Sequence, residues 1–395
     1  MTDVNADVVV IGGGPAGLMA AETLARGGLK VVICDAKPSV GRKFLMAGKS
    51  GLNLTKSGDP DFNASYAEAA PRLEQMIAAF GPQDVMSWAE GLEQPLFVGT
   101  TGRVFPVAMK ASPLLRAWLA RLDGLGVRIL TRHVWRGWED GKLVFDAPDG
   151  LLTMSPRATV LAMGGASWPR LGSDGAWSIY LTERDVEIAP FSPANAALRV
   201  TWSHHMQPLF GAPLKSVQFS AGPYTSRGEA ILSSDGLEGS GIYSVSRGVR
   251  EGHRLAIDLA PDLSIEDIAS KLVSVKGKPS LTVRLRKALG FGPVKIGLMN
   301  ECLRPAPRDL GALAGALKTV TPRVDGLSDI ETAISVAGGV KWDQLDDALM
   351  IKSLPGVYCA GEMIDWEAPT GGYLLTACFA TGRWAAQSAL VRLNA

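Results

Sequence analysis

Three glycines and one carboxylate are the first residues in this chain whose spacing implies chemistry. Gly12, Gly14 and Gly17 stand in G-x-G-x-x-G spacing, with Pro15 and Ala16 between them, and Asp35 follows Gly17 by 18 residues. Gly12 permits a tight turn, Gly14 lets a pyrophosphate approach the backbone, and Gly17 lets a helix pack close to a strand. An acid about 20 residues further on accepts a ribose hydroxyl and repels a 2′-phosphate.

This pattern needs a strand, a turn, a helix and a second strand to position it. Val8 to Ile11 is a β-branched run of the kind a fully buried parallel strand shows. Ala16 to Arg26 reads as a helix ended by Gly27-Gly28, and Lys30 to Cys34 reads as the second strand, with Asp35 at its end. The helix N-terminus offers free N–H groups and the positive end of a dipole to phosphates. With strand, helix and acid all in place, the turn suits FAD or NAD better than NADP.

The chain has 395 residues, too many for one core, with 47% hydrophobic and 20% charged residues. No apolar run is long enough to span a bilayer, and the N-terminus lacks a basic signal region. The four cysteines are scattered, with no metal spacing, and four histidines form no cluster, so no metal site is expected. Reduced thiols without a leader point to the cytoplasm. Net charge is +1, but Arg247 to Arg323 holds 14 Lys/Arg against 7 Asp/Glu. That block is a candidate surface for an anionic partner.

The remaining pattern suggests an α/β protein with a Rossmann-like dinucleotide-binding domain built on a parallel sheet. Ala36 to Thr55 reads as a glycine-rich loop carrying Arg42, Lys43 and Lys49. Pro71 to Glu90 has helical periodicity, and Phe97 to Phe105 a hairpin pattern. Ser112 and Pro113 read as N-cap and N1 of a helix. Val127 to Trp138 and Lys142 to Ala147 read as strands joined at Asp140-Gly141. Ala158 to Ser167 is a β-run ending in Gly164-Gly165. Composition changes near Pro190 to Pro193. The expected division is 1–190 and 326–395 for the dinucleotide domain, 191–245 for an inserted β-module and 246–325 for a small basic helical module. Ser234 to Gly241 reads as a flexible loop. Gly356 to Glu362 reads as a late strand, and Gly371-Gly372-Tyr373 opens a long C-terminal helix.

The ordered motifs GGGPAG with Asp35, GRK at Gly41 to Lys43, VLAMGG, GVYCAGEMID and APTGGY look like those of two-dinucleotide-binding-domain flavoproteins. More narrowly, the chain resembles the BaiN/RdsA family of NAD(P)/FAD-dependent oxidoreductases over nearly its whole length. The resemblance implies bound FAD. Gly12, Gly14, Pro15, Ala16 and Gly17 would hold the pyrophosphate and Asp35 the adenosine ribose. Arg42 and Lys43 would lie along the AMP half, and Gly164 near the adenosine. Val134 would offer backbone contacts to adenine, and Gly361 and Glu362 would lie near the ribityl-phosphate. Gly371, Gly372 and Tyr373 would approach the isoalloxazine. The family's Arg-Cys pair after GRK is absent, leaving Asn53 and glycines, and Leu374 replaces the asparagine that follows PTGGY.

The activity so implied is hydride transfer from flavin N5 to an activated C=C bond, with NAD(P)H as a transient donor. The acceptor is uridine in ribosomal RNA or a small enone. A non-catalytic flavin-binding redox sensor is the third reading. Lys49, Asp365 and Tyr373 are the candidate proton donors.

Overall fold

A computed structural model describes residues 5–49 and 51–395. Ser50, in the stretch that departs from the family pattern, lies outside the described residues. The chain forms two compact units, one from residues 1–192 with 335–395 and the other from residues 193–334.

The first unit is organised on five parallel strands. In chain order these and their key helices are β1 (Val8–Ile11), α1 (Pro15–Arg26), β2 (Val31–Asp35), α2 (Arg42–Ala47), β3 (Arg128–Thr131), β4 (Ala158–Leu161), β5 (Val357–Cys359) and α3 (Tyr373–Asn394). The spatial order is β5-β4-β1-β2-β3. Val8 stands opposite Ala158 on one side and Val31 on the other. All four residues of β1 are buried, so its β-branched side chains are covered on both faces of the sheet. The strand order reverses beside β1, and such a reversal opens a crevice at the carboxyl ends of the strands.

Several local expectations change. The loop expected over residues 36–55 contains α2, a run of good helix formers that buries Phe44. The helix expected over 71–90 is two helices, Ala70–Ala79 and Pro82–Glu90, because Pro82 cannot continue the first. Gly81 caps the second, and its N–H donates to Asp84 Oδ2 at 3.0 Å. The helix assigned a Ser112 cap begins at Ala111, which leaves Pro113 within the first turn, where no N–H is needed. The strand read through residues 127–138 breaks at Arg132, whose φ is +61°. β3 joins the parallel sheet, while Val134–Glu139 joins Lys142–Ala147 and Gly150–Met154 in an antiparallel sheet. A third small sheet orders Thr55–Lys56, Arg103–Pro106 and Leu96–Val98.

The second unit is one six-stranded antiparallel sheet with helices. Its strands run Ala256–Asp258, Pro213–Ala221, Tyr224–Ser233, Gly236–Glu238, Leu198–Val200 and Val324–Leu327. Both stretches assigned to separate modules, 191–245 and 246–325, contribute strands to this sheet. Phe219 from the sheet and Leu285, Leu298 and Leu313 from helices share one core. A two-module division is therefore not how this stretch packs. The segment read as a flexible loop, 234–241, holds the strand Gly236–Glu238, paired on both sides, and glycine stands at 236 because a side chain there would collide with the Leu198 carbonyl of the neighbouring strand. Ser264 caps the helix Ile265–Ser274, its Oγ accepting the Asp267 N–H at 3.0 Å.

Among the described residues no helix is long and apolar enough to cross a membrane. No group of three or more His, Cys, Asp or Glu side chains among them could hold a metal ion.

Candidate active site

A cleft of about 310 Å³ opens at the carboxyl ends of β1, β2 and β4. Gly12, Gly14, Pro15, Ala16, Asp35, Arg42, Lys43, Val134, Gly164, Gly361 and Glu362 all line it. The glycine turn is built for close approach. Gly12 has φ +105°, and a Cβ there would strike the Ala162 carbonyl; a Cβ on Gly17 would strike the Gly12 carbonyl. Gly14 differs, because its φ is −82° and a Cβ would meet nothing within 4 Å. No atom of the described residues requires glycine there, so the space it leaves open is space for an occupant of the cleft.

Asp35 is tied to the turn. Its Oδ2 accepts the Gly13 N–H at 2.8 Å and its Oδ1 the Lys37 N–H at 2.8 Å. Burial raises its pKa above the ordinary carboxylate value, against the pull of these two donors. Each oxygen retains a free acceptor position for a hydroxyl.

Three buried polar atoms on the cleft wall lack a partner among the described residues: Arg42 Nε, Trp135 Nε1 and Ser173 Oγ. Leaving such groups unmade costs about 1–3 kcal/mol each, so a polar ligand is their natural complement. Lys43 Nζ bridges Ser167 Oγ at 2.8 Å and Glu362 Oε2 at 2.7 Å. Two residues expected beside different parts of a dinucleotide are thus an ion pair. Cys378 also lines the cleft, but burial raises its thiol pKa, so it is no nucleophile at neutral pH.

The remaining expected residues lie outside this cleft. Lys49 is exposed. Asn53 is half-buried, with its Oδ1 unpartnered among the described residues. Asp365 accepts the Gly338 N–H at 3.1 Å, and burial raises its pKa. Gly371 and Gly372 form the turn into α3, where Gly372 is the N-cap. A Cβ on Gly372 would lie 2.4 Å from the Thr55 backbone, so the turn packs directly on the short strand Thr55–Lys56. This is where Tyr373 gains partners that spacing did not reveal. Its hydroxyl donates to Asp59 Oδ2 at 2.6 Å and accepts from Lys56 Nζ at 2.8 Å, and Lys56 pairs with Asp59 at 2.8 Å. The ring is buried against Phe62 and Tyr66.

Burial pulls the Lys56 pKa down, but its bonds to Asp59 and Tyr373 outweigh this and the net shift is upward. Burial likewise raises Asp59, and the bonds from Lys56 and Tyr373 outweigh it and leave the carboxyl lowered. Both charges therefore persist at neutral pH. Lys56 and Asp59 were missed because each is an ordinary surface residue in sequence. Their i,i+3 spacing was the sole local signal.

Glycine turn, acid and parallel-sheet crevice define a dinucleotide-binding protein of the Rossmann type. The chain belongs to the HI0933-like family, the BaiN/RdsA group of FAD-dependent oxidoreductases, whose Rossmann-domain model matches residues 6–388. It is 24% identical to a 3-dehydro-bile acid delta(4,6)-reductase of Clostridium scindens, over 97% of this chain and 98% of that one. It is 23% identical to a ribosomal RNA dihydrouridine synthase of Escherichia coli, over 93% and 94% of the two chains. Among solved structures, a 3-ketosteroid delta1-dehydrogenase of Sterolibacterium denitrificans superposes with TM-score 0.53 at 12% identity, covering 98% of this chain and 99% of that one. A 3-ketosteroid-delta4-(5alpha)-dehydrogenase of Rhodococcus jostii RHA1 superposes with TM-score 0.51 at 15% identity, covering 98% and 96%. These two structures share the fold. The cleft's gap at Gly14 and its unpartnered polar atoms fit the nucleotide half of FAD.

Proposed function

We propose that this chain reduces a C=C bond conjugated to a carbonyl in a small molecule, with FAD as its cofactor and NADH or NADPH as a transient donor. The observation that carries this reading is the Tyr373 hydroxyl, held by Lys56 and Asp59 at the N-terminus of α3. Cys378, on the same helix, lines the nucleotide cleft five residues further on. Five residues of helix rise about 7.5 Å, within the reach of an extended dinucleotide.

FAD, when bound, supplies hydride transfer from its reduced ring. In this reading Gly12, Gly14, Pro15, Ala16 and Gly17 present the α1 N-terminus to the pyrophosphate, and Asp35 accepts a ribose hydroxyl. Arg42 Nε and Ser173 Oγ, unpartnered among the described residues, meet polar atoms of the nucleotide. Val134 and Gly164 line the adenosine end, and Lys43, Gly361 and Glu362 the far end of the cleft. Gly371 and Gly372 keep the α3 N-terminus free of side chains, so its dipole favours negative charge on the adjoining group. Asn53 Oδ1 is available to a donor there. The proton that completes the reduction rests on Tyr373 Oη, and Lys56 stabilises the phenolate left behind. Lys49 and Asp365 take no part in this proton transfer.

A second reading, uridine in ribosomal RNA, draws on the excess of cations from Arg247 to Arg323 and on the exposure of Arg286 and Lys287. Other cations of that block are engaged inside the unit. Lys295 Nζ donates to the Ser216 and Leu259 carbonyls, Lys318 Nζ to those of Ala260 and Leu263, and Arg284 to those of Leu272 and Val275. This internal use favours the small-molecule reading.

The test is anaerobic. The FAD-loaded protein is reduced with NADH or NADPH, then mixed with cyclic enones or with ribosomal RNA. Rapid flavin reoxidation by an enone supports the proposal. Reoxidation by RNA alone moves the assignment to uridine. Failure of both acceptors overturns the reductase reading and leaves the redox sensor.

A further inference from the structure

The small sheet beside Tyr373 has one buried face and one open face. Thr55 and Val104 are fully buried on the first. Register places Lys56 opposite Arg103 and Phe97 opposite Phe105 on the second. Phe97 and Phe105 stack with ring centroids 5.5 Å apart and 22° between planes, and Phe97 stays 41% exposed. Arg103 stands about 7 Å along the strand from Phe105 on this same face.

The charges on this face do not balance. Lys56 is neutralised by Asp59, but the half-buried Arg103 side chain has no hydrogen bond or ion pair among the described residues. Two cations placed directly opposite across a ladder repel, and an oxygen anion beside them would relieve this. Gly371, at φ +139°, is the residue that lets these groups come together, because a Cβ there would lie 3.1 Å from the Tyr373 ring and 3.9 Å from Arg103 Nε. Any side chain there would fill the gap between guanidinium and phenol.

We infer that Arg103 binds the carbonyl oxygen of the electron acceptor, while Phe97 and Phe105 receive its flat apolar body. This rests on the proposed reductase activity. Hydride adds to the β-carbon, the C=C electron pair forms a double bond between the α-carbon and the carbonyl carbon, and the carbonyl π pair moves onto oxygen to give an enolate. Arg103 holds the enolate oxygen, and the α-carbon takes the proton from Tyr373 Oη. The two electrons come from the reduced flavin, and the product is the saturated carbonyl compound. Arg103 is thus a catalytic residue, and the stacked phenylalanines determine which acceptors fit.

The test uses 4-chlorophenol, whose phenolate mimics an enolate but cannot be reduced. Its binding to the oxidised FAD-loaded protein is read from perturbation of the flavin absorbance. Arg103→Leu is expected to weaken phenolate binding about 10- to 100-fold, Arg103→Lys less, with FAD content unchanged in both. Phe97→Ala should weaken phenolate binding as well. Equal phenolate affinity in Arg103→Leu and the unmodified protein overturns the inference. A second measurement separates this from the parent reading. If the reduced protein passes electrons to enones and Arg103→Leu does so equally fast, the site is wrong and the activity stands. If phenolate binding depends on Arg103 but no enone reoxidises the flavin, the oxygen site stands and the reductase reading fails.

Discussion

Lys43 Nζ lies 2.7 Å from Glu362 Oε2, although the two residues are 319 positions apart in the chain. The pair ties α2 to the turn after β5, and the same ammonium also reaches Ser167. The Lys43 side chain is 25% exposed and that of Glu362 13%, so removing the carboxylate strands a largely desolvated cation. Glu362→Gln is therefore expected to lower the stability of the FAD-free protein by about 1–3 kcal/mol. Adding Lys43→Met should recover part of that loss, because the two sites are coupled. Urea denaturation of the four proteins measures the coupling directly.

The glycines of the first turn separate cofactor binding from folding. Gly14→Ala meets no atom of the described residues within 4 Å, so the FAD-free protein should lose less than about 1 kcal/mol. FAD affinity should fall by more than tenfold in a fluorescence titration. Gly17→Ala drives a methyl group into the Gly12 carbonyl and should destabilise the protein with or without FAD. Equal FAD affinity of Gly14→Ala and the parent would remove the pyrophosphate from this turn.

The charges around Tyr373 predict a pH dependence with a definite sign. Asp59 has a lowered folded-state pKa, so its stabilisation is present above the unfolded value of 3.8 and is lost as pH falls below it. Lys56 has a raised pKa, so its stabilisation is present below 10.5 and is lost as pH rises beyond the folded value. The Tm difference between the protein and Asp59→Asn should be flat from about pH 5 to 9 and shrink in more acid solution. Asp365 has a raised pKa and the opposite sign: its contribution improves as pH falls through the folded value. The Tm difference for Asp365→Asn should shift in the parent's favour toward pH 4.

Glu22 forms the most heavily bonded buried charge on α1. Its carboxylate accepts from Trp118 Nε1 at 2.8 Å, Trp88 Nε1 at 3.2 Å, Arg26 at 2.9 Å and Arg121 at 3.2 Å. It thereby fixes α1, whose N-terminus faces the cleft, against the helices Pro82–Glu90 and Ala111–Gly124. Glu22→Ala leaves two indoles without a partner and Arg121 without its carboxylate, and should cost about 3–5 kcal/mol in denaturant unfolding.

The basic block allows a clean separation of RNA binding from folding. Charge reversal at the exposed Arg286 and Lys287 should leave Tm within about 1 °C of the parent. Arg284→Glu removes bonds at 2.5 and 3.3 Å to the Leu272 and Val275 carbonyls and should lower it measurably. Ribosomal RNA affinity that falls with the Arg286/Lys287 reversal, and loses salt dependence, would favour uridine as the acceptor.

The glycine turn and its acid were legible from the chain alone. Gly12, Gly14, Gly17 and Asp35 work through φ angles, close approaches and a helix terminus set within 30 residues, and such local geometry is written in spacing. The strands β1 and β2 and the long C-terminal helix were legible for the same reason. Tertiary structure decided the rest. Lys56, Asp59 and Arg103 carry no motif, and they meet Gly371 and Tyr373 only because a three-stranded sheet packs on the N-terminus of α3. Proline broke one helix that periodicity had joined, and positive φ at Arg132 split one strand. A count of cations saw a surface where Lys295 and Lys318 serve internal carbonyls instead. Contacts between residues some 300 positions apart depend on how whole elements pack, and no window of sequence contains both partners.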